Sequence, residues 1–169
     1  MSIIKTDRLE LRRFTEADTE PYIELLSNPM VSQYLGSGKN ATREGVIRLM
    51  GQFEATWDNG HGVFAVVETA SGKLIGHCGI WPIADGRIEL LYAYGVSAWG
   101  KGYATEAGRA VLAYGKENFD VPQLIAMSYP QNKASTNVLK KLGFENIGQE
   151  EHYGGIMFEI FELKTWADL

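Results

Sequence analysis

Trp99-Gly100-Lys101-Gly102-Tyr103-Ala104-Thr105-Glu106 follows an apolar, strand-like run from Ile88 to Val96 and opens a helical pattern. Glycine adopts positive φ without steric cost and lets backbone approach a ligand closely. A glycine turn that enters a helix aims several unpaired N–H groups at one point, and the helix dipole adds partial positive charge there. The stretch therefore reads as an anion site, best suited to phosphate.

Upstream, Thr6 to Arg12 alternates polar and apolar residues and predicts a strand. A helix follows, ending near Leu25–Leu26, with Thr15 as one possible cap and Asp18 the better one, because Pro21 then falls in the first turn. Asn28-Pro29 breaks the chain. Thr42 caps a second helix with Ile47, Met50, Phe53 and Trp57 as its apolar face, ended by Asn59-Gly60. Then comes a meander: Val63 to Glu68, a turn at Ser71-Gly72, Leu74 to Ile80, a turn at Asp85-Gly86, and Arg87 to Val96. Downstream, Ala107, Ala110, Val111 and Tyr114 fall at helical spacing, and Gln123 to Ser128 is a short strand. Ser135, Val138, Leu139 and Leu142 repeat the helical spacing up to Gly143. Phe144 to Gly148 and Ile156 to Leu163 close the chain as strands. The expected class is mixed α/β, with a largely antiparallel sheet and helices on its faces.

Residues 1–169 fit one domain. A composition 45% hydrophobic and 22% charged is that of an ordinary globule, and no apolar run approaches the ~20 residues of a membrane span. The N-terminus lacks a signal-peptide pattern, and the lone Cys78 cannot form an internal disulfide, so a reducing cytoplasm is expected. Nothing suggests a metal site. A net charge of −5 argues against a nucleic-acid partner. Residues 96–145 nevertheless carry six cations against four anions, which suits an anionic ligand beside a cationic one. No Gly-Lys-Ser/Thr phosphate loop is present, which speaks against ATP.

About thirty residues beyond the glycine turn stands a second signal: Asn132-Lys133-Ala134-Ser135, then Val138-Leu139-Lys140-Lys141-Leu142-Gly143-Phe144. Together these motifs resemble the GNAT superfamily of acyl-CoA-dependent N-acetyltransferases, and Thr6 to Phe14 with the Ser135 form of the second motif resembles its ribosomal-protein-alanine-acetyltransferase branch. The resemblance covers nearly the whole chain. It implies acetyl-CoA as cosubstrate, no metal, and an amine acceptor that is a peptide N-terminus or a small molecule; homodimers are common in such families. It implies a pyrophosphate loop at Gly100, Lys101, Gly102, Tyr103, Ala104 and Thr105, with Trp99 where the family carries Gln or Arg. It also implies a splayed strand pair, Ile88–Val96 and Gln123–Ser128, whose free backbone at Tyr94, Gly95 and Val96 receives the pantetheine arm. Asn132 matches the residue that hydrogen-bonds that arm, and is equally a good helix cap.

The implied reaction is attack of a neutral amine on a thioester. A Lys amine has a pKa of about 10.4 and an α-amino group about 7.7–8.0, so a base must take a proton. Glu89, in an otherwise apolar strand, leads, with Glu150 and Glu151 as alternatives. The leaving thiolate needs a proton donor. Many family members place Tyr seven residues after the Asn, where this chain has Leu139. The branch points to Ser135 instead, with Tyr129 as the alternative. That missing Tyr leaves a non-catalytic acyl-CoA-binding module as the rival reading. His61, His77 and His152 read as structural residues rather than catalysts.

Overall fold

The computed structural model describes residues 2–39 and 41–163. Among them, eight strands form one sheet: β1 (Ser2–Lys5), β2 (Leu9–Arg12), β3 (Gly62–Glu68), β4 (Lys73–Pro82), β5 (Ile88–Tyr94), β6 (Leu124–Ser128), β7 (Glu145–His152) and β8 (Ile156–Leu163). Their order is β1-β2-β3-β4-β5-β6-β8-β7. Every neighbouring pair is antiparallel except β5–β6, which is parallel. The helices are α1 (Thr19–Ser27), α2 (Pro29–Ser32), α3 (Arg43–Thr56), α4 (Tyr103–Asn118) and α5 (Lys133–Lys141).

The sheet buries both faces, as the expected α/β class requires. Tyr22 and Leu26 of α1, Val31 of α2, and Val46 and Phe53 of α3 form one core with Val63 and Ala93. On the other face, Ala107, Val111 and Leu112 of α4 and Leu139 of α5 pack with Phe64, Cys78, Leu90 and Tyr94. Within the first core His77 is fully enclosed, its Nδ1 2.7 Å from the Tyr22 hydroxyl. Burial depresses its pKa to about 3, so the ring is neutral and structural.

Local chemistry departs from the sequence pattern in four places. The stretch read as one strand, Thr6 to Arg12, is interrupted: the Thr6 N–H donates to the Leu9 carbonyl at 2.9 Å and the Leu9 N–H donates to the Thr6 hydroxyl at 3.0 Å. This closes a turn between β1 and β2. Asn28-Pro29 is both a break and a start, because the Asn28 side chain accepts from the Met30 N–H at 3.0 Å and Pro29 occupies the first helical position of α2. Asp18 precedes α1 but does not cap it. Its carboxylate turns back to the Thr15 N–H (2.8 Å) and to both guanidinium nitrogens of Arg12 (2.6 and 2.9 Å). Finally, α3 buries Val46 and Phe53, while Ile47 is 46% exposed, so the apolar stripe starts one residue earlier than expected.

β5 carries the functional face of the sheet, and its fit against β4 is tight at Gly76. A Cβ there would collide with the Ala93 carbonyl oxygen and sit 2.8 Å from the Tyr94 ring. Neither backbone can yield without disturbing the ladder. Gly76→Ala is expected to destabilise the protein by about 1–3 kcal/mol, read as a lowered midpoint in urea denaturation with an unchanged slope.

Candidate active site

The parallel pair β5–β6 meets at a single registered position, Glu89 opposite Ile125. Beyond it the two strands separate, and a cleft of ≈ 1000 Å³ opens between them. Its walls are Glu89–Tyr94 of β5, Ala126–Tyr129 at the end of β6, residues of α5, and the loop that leads into α4. This is the splay that the resemblance implied. The unpaired backbone edges of β5 and β6 face the gap.

At one end lies the glycine loop. Gly100 and Gly102 hold φ of 72° and 80°, a region open to glycine at no cost. The first backbone bond into α4 runs from the Glu106 N–H to the Gly102 carbonyl at 3.1 Å, which leaves the amides of Tyr103, Ala104 and Thr105 without intrahelical acceptors. The loop is held by other atoms. Arg8 donates to the Lys101 carbonyl (2.8 Å), pairs with Glu106 (2.6 Å) and lays its guanidinium over the Tyr103 ring at 4.6 Å. The Tyr103 hydroxyl donates to Glu68 at 2.6 Å. The Trp99 indole N–H donates to the Tyr94 carbonyl at 2.8 Å and so fastens the end of β5 to the loop.

The structure brings Tyr94, Gly100, Gly102, Tyr103, Ala104, Thr105, Asn132 and Ser135 onto the cleft wall. Gly95, Val96 and Lys101 stand off it. The Gly95 N–H is spent on the Ile75 carbonyl at 2.9 Å, and Val96 begins a short helical turn packed against the α1–α3 core. The Gly95 bond lies on the β4 side of β5, away from the gap.

Glu89 is 8% exposed and spans the point where the strands part. Its carboxylate accepts from the Trp81 indole at 3.3 Å and from the Met127 backbone N–H across the gap. Burial outweighs those bonds and raises its pKa to about 7. Along β5 side chains alternate: Leu91 and Ala93 share the α1–α3 side with Glu89, while Leu90, Tyr92 and Tyr94 face α4 and α5. Ser135 lies on that second side. The Tyr92 hydroxyl lies 3.1 Å from Ser135 Oγ and donates to the Ser135 carbonyl at 3.0 Å. Asn132 caps α5, its Oδ1 accepting from the Ser135 N–H at 3.2 Å, and its amide nitrogen is free of that bond.

The other candidates have different employment. Glu150 is gripped by both Arg87 nitrogens (2.9 and 2.6 Å), which hold its pKa below the usual carboxylate value. Glu151 is exposed on β7. The Tyr129 hydroxyl donates to the Gly36 carbonyl at 2.8 Å. Leu139, at the family's Tyr position, is core. Trp81 reads from sequence as a core or groove wall, and it does line the cleft. Sequence reasoning missed Tyr92, legible only as a strand aromatic, and Arg8, whose contacts span more than ninety positions of chain. Among the described residues, no cluster of His, Cys, Asp or Glu could hold a metal ion, and no helix is long and apolar enough to cross a membrane.

Comparison with known proteins gives this geometry a family. The acetyltransferase (GNAT) domain model matches residues 8–145. An N-acetyltransferase of Bacillus subtilis, YoaA, itself uncharacterized, is 30% identical over 154 residues, 89% of this chain and 87% of the relative. A GNAT-family acetyltransferase from Bacillus anthracis superposes with a TM-score of 0.77 at 25% identity, over 94% of this chain and 95% of that one. RimL, a ribosomal-protein alpha-N-acetyltransferase solved with coenzyme A, shares the fold with a TM-score of 0.80 at 15% identity, over 98% of this chain and 100% of that one. A matched family model over most of the chain, an opened parallel strand pair and a glycine turn at a helix N-terminus lead to one conclusion: the chain belongs to the GNAT acetyltransferase family and transfers an acetyl group from acetyl-CoA to an amine.

Proposed function

We propose that Glu89 is the general base and Ser135 the proton donor of this transfer, acting from opposite faces of the sheet through the gap between β5 and β6. The observation that carries the reading is the position of Glu89: a buried carboxylate at the vertex of the splay with a pKa of about 7. A base poised near the working pH is deprotonated often enough to act and basic enough to take a proton.

The residues fit coenzyme A as ligand, the molecule held in the RimL relative. The free amides of Tyr103, Ala104 and Thr105, with Gly100 and Gly102 on the same wall, and the α4 dipole offer diphosphate donors. The open edge of β5 up to Tyr94 offers strand-like pairing to an amide-bearing arm, and the free amide of Asn132 offers one more donor. When bound, the cosubstrate supplies a thioester carbonyl carbon in the gap. Glu89 takes the amine proton from the α1–α3 side. Backbone N–H groups freed by the splay face the carbonyl oxygen as it gains charge. Ser135, its Oγ beside the Tyr92 hydroxyl, gives a proton to the sulfur on the α5 side. Tyr129 serves instead as a bridge to the segment after α2, its hydroxyl donating to the Gly36 carbonyl. Residues 1–169 act as one catalytic unit in this reading, and a cytoplasmic setting suits the single buried thiol, Cys78.

Three measurements test it. Glu89→Gln is expected to lower kcat/KM about a hundred- to ten-thousandfold, and Ser135→Ala about a hundredfold; turnover within twofold of the parent in both would remove the assignment. The parent kcat/KM should rise with pH through about 7 as Glu89 loses its proton, while Glu150→Gln leaves that limb in place. Stability carries an independent signature. Folded Glu89 keeps its proton up to about pH 7, whereas the unfolded carboxyl releases it near its ordinary value of 4.5. Stability is therefore lost as pH rises across that window. The melting temperature of Glu89→Gln relative to the parent should accordingly climb between about pH 5 and about pH 8.

A further inference from the structure

The acceptor side of the cleft is built for a particular kind of amine. Beside Glu89 its walls are Leu26, Val31, Leu35, Leu49, Trp81 and Leu91. Among the described residues that line the whole cleft, Glu89 is the sole carboxylate, and the cations are Lys39, Lys133 and Lys141. Lys133 and Lys141 are the first and last residues of α5, whereas Lys39 stands in the segment between α2 and α3 on the acceptor side. A substrate with several ammonium groups would have to leave the extra ones against leucine or near a lysine, and an unpaired charge in apolar surroundings is expensive.

The mouth above this chamber is bridged. Residues 33–39, the segment between α2 and α3, reach across to the end of β6, where the Tyr129 hydroxyl donates to the Gly36 carbonyl at 2.8 Å. The Tyr129 ring packs on Phe158 at 4.6 Å and against Tyr34 at 6.0 Å. Tyr153, in the β7–β8 turn, holds φ of 51° and lies against both Gly36 and Phe158. Left-handed backbone at an aromatic residue costs of the order of 1 kcal/mol or more and persists only where surroundings impose it. Three chain segments thus meet over the chamber, and an extended polypeptide entering from that side would have to break the Tyr129–Gly36 bond.

Resting on the acetyl-transfer reading above, we propose that the acceptor is a compact primary amine carried on an apolar or aromatic body, with neither a second positive charge nor a long chain behind it. Trp81, Leu49 and Leu91 hold the body, Glu89 meets the amine, and Tyr129 positions the roof.

The test compares phenethylamine, spermidine and an alanine-starting peptide as acceptors with acetyl-CoA, following thiol release. Phenethylamine should exceed both others in kcat/KM by roughly tenfold or more. Tyr129→Phe should raise the KM for phenethylamine about threefold or more and narrow its advantage over the peptide, with kcat within about twofold. Spermidine or the peptide matching phenethylamine overturns the proposal. So does a Tyr129→Phe variant that loses kcat at unchanged KM, since that marks a proton donor. Calorimetry with acetyl-CoA separates the two levels: binding with phenethylamine inert removes this inference alone, whereas absence of binding removes the cosubstrate reading beneath it.

Discussion

A parallel strand pair that is joined at one point and then opens is the constraint on which the rest of this molecule turns. Backbone N–H and C=O groups inside a protein need partners, and β5 beyond Glu89 has them on only one side, from β4. Such an edge in the middle of a sheet persists only if the flanking elements keep the strands apart. Here β6 is drawn away by its five-residue antiparallel ladder with β8, while β5 is locked to β4 over seven registered pairs. The far end of β5 is fastened separately, by the Trp99 indole on the Tyr94 carbonyl. Strong pairing on both outer sides thus holds each strand in place while the space between them stays open.

The same opening explains why a carboxylate can be buried there. Glu89 occupies the last registered position before the strands part, so its side chain can reach the Met127 N–H that the missing ladder leaves over. That bond and the Trp81 indole satisfy its oxygens without supplying a full countercharge. Arg87, two residues away, spends its guanidinium on Asp85 and Glu150. With no ion pair among the described residues, Glu89 keeps a raised pKa from burial, unlike Asp18, which Arg12 grips directly.

Much of this was legible in the chain. Gly100 and Gly102 carry the turn because positive φ is a local property of residue type, and the spacing of Asn132 and Ser135 is that of a helix cap. The alternation from Ile88 to Tyr94 sets which side chains share a face once one of them is known to face the core. What local pattern cannot carry is partnership across long separations. Tyr92 reads as a strand aromatic until α5 folds 43 positions later to bring Ser135 beside it. Glu150 and Glu89 are indistinguishable by residue type, and it is Arg87 that divides them. Turns that depend on one hydroxyl, as at Thr6, likewise vanish into a period-two pattern.

The anion end of the cleft poses a further electrostatic problem, and its solution links the N-terminal strands to the site. Glu106 sits in the first turn of α4, where a carboxylate gains from the helix dipole. The same charge opposes any phosphate brought to that helix end. Thr6 donates its hydroxyl to Glu106 at 2.6 Å, and Arg8 donates its backbone N–H at 3.0 Å and its Nε at 2.7 Å. Glu106 is thereby saturated, and the remaining Arg8 reach goes to the Lys101 carbonyl. The carboxylate that shapes the loop is thus neutralised by the β1–β2 turn, and the amides of the loop are left facing an unopposed site. The turn that interrupts Thr6 to Arg12 brings the Thr6 hydroxyl, the Arg8 amide and the Arg8 guanidinium onto that one carboxylate.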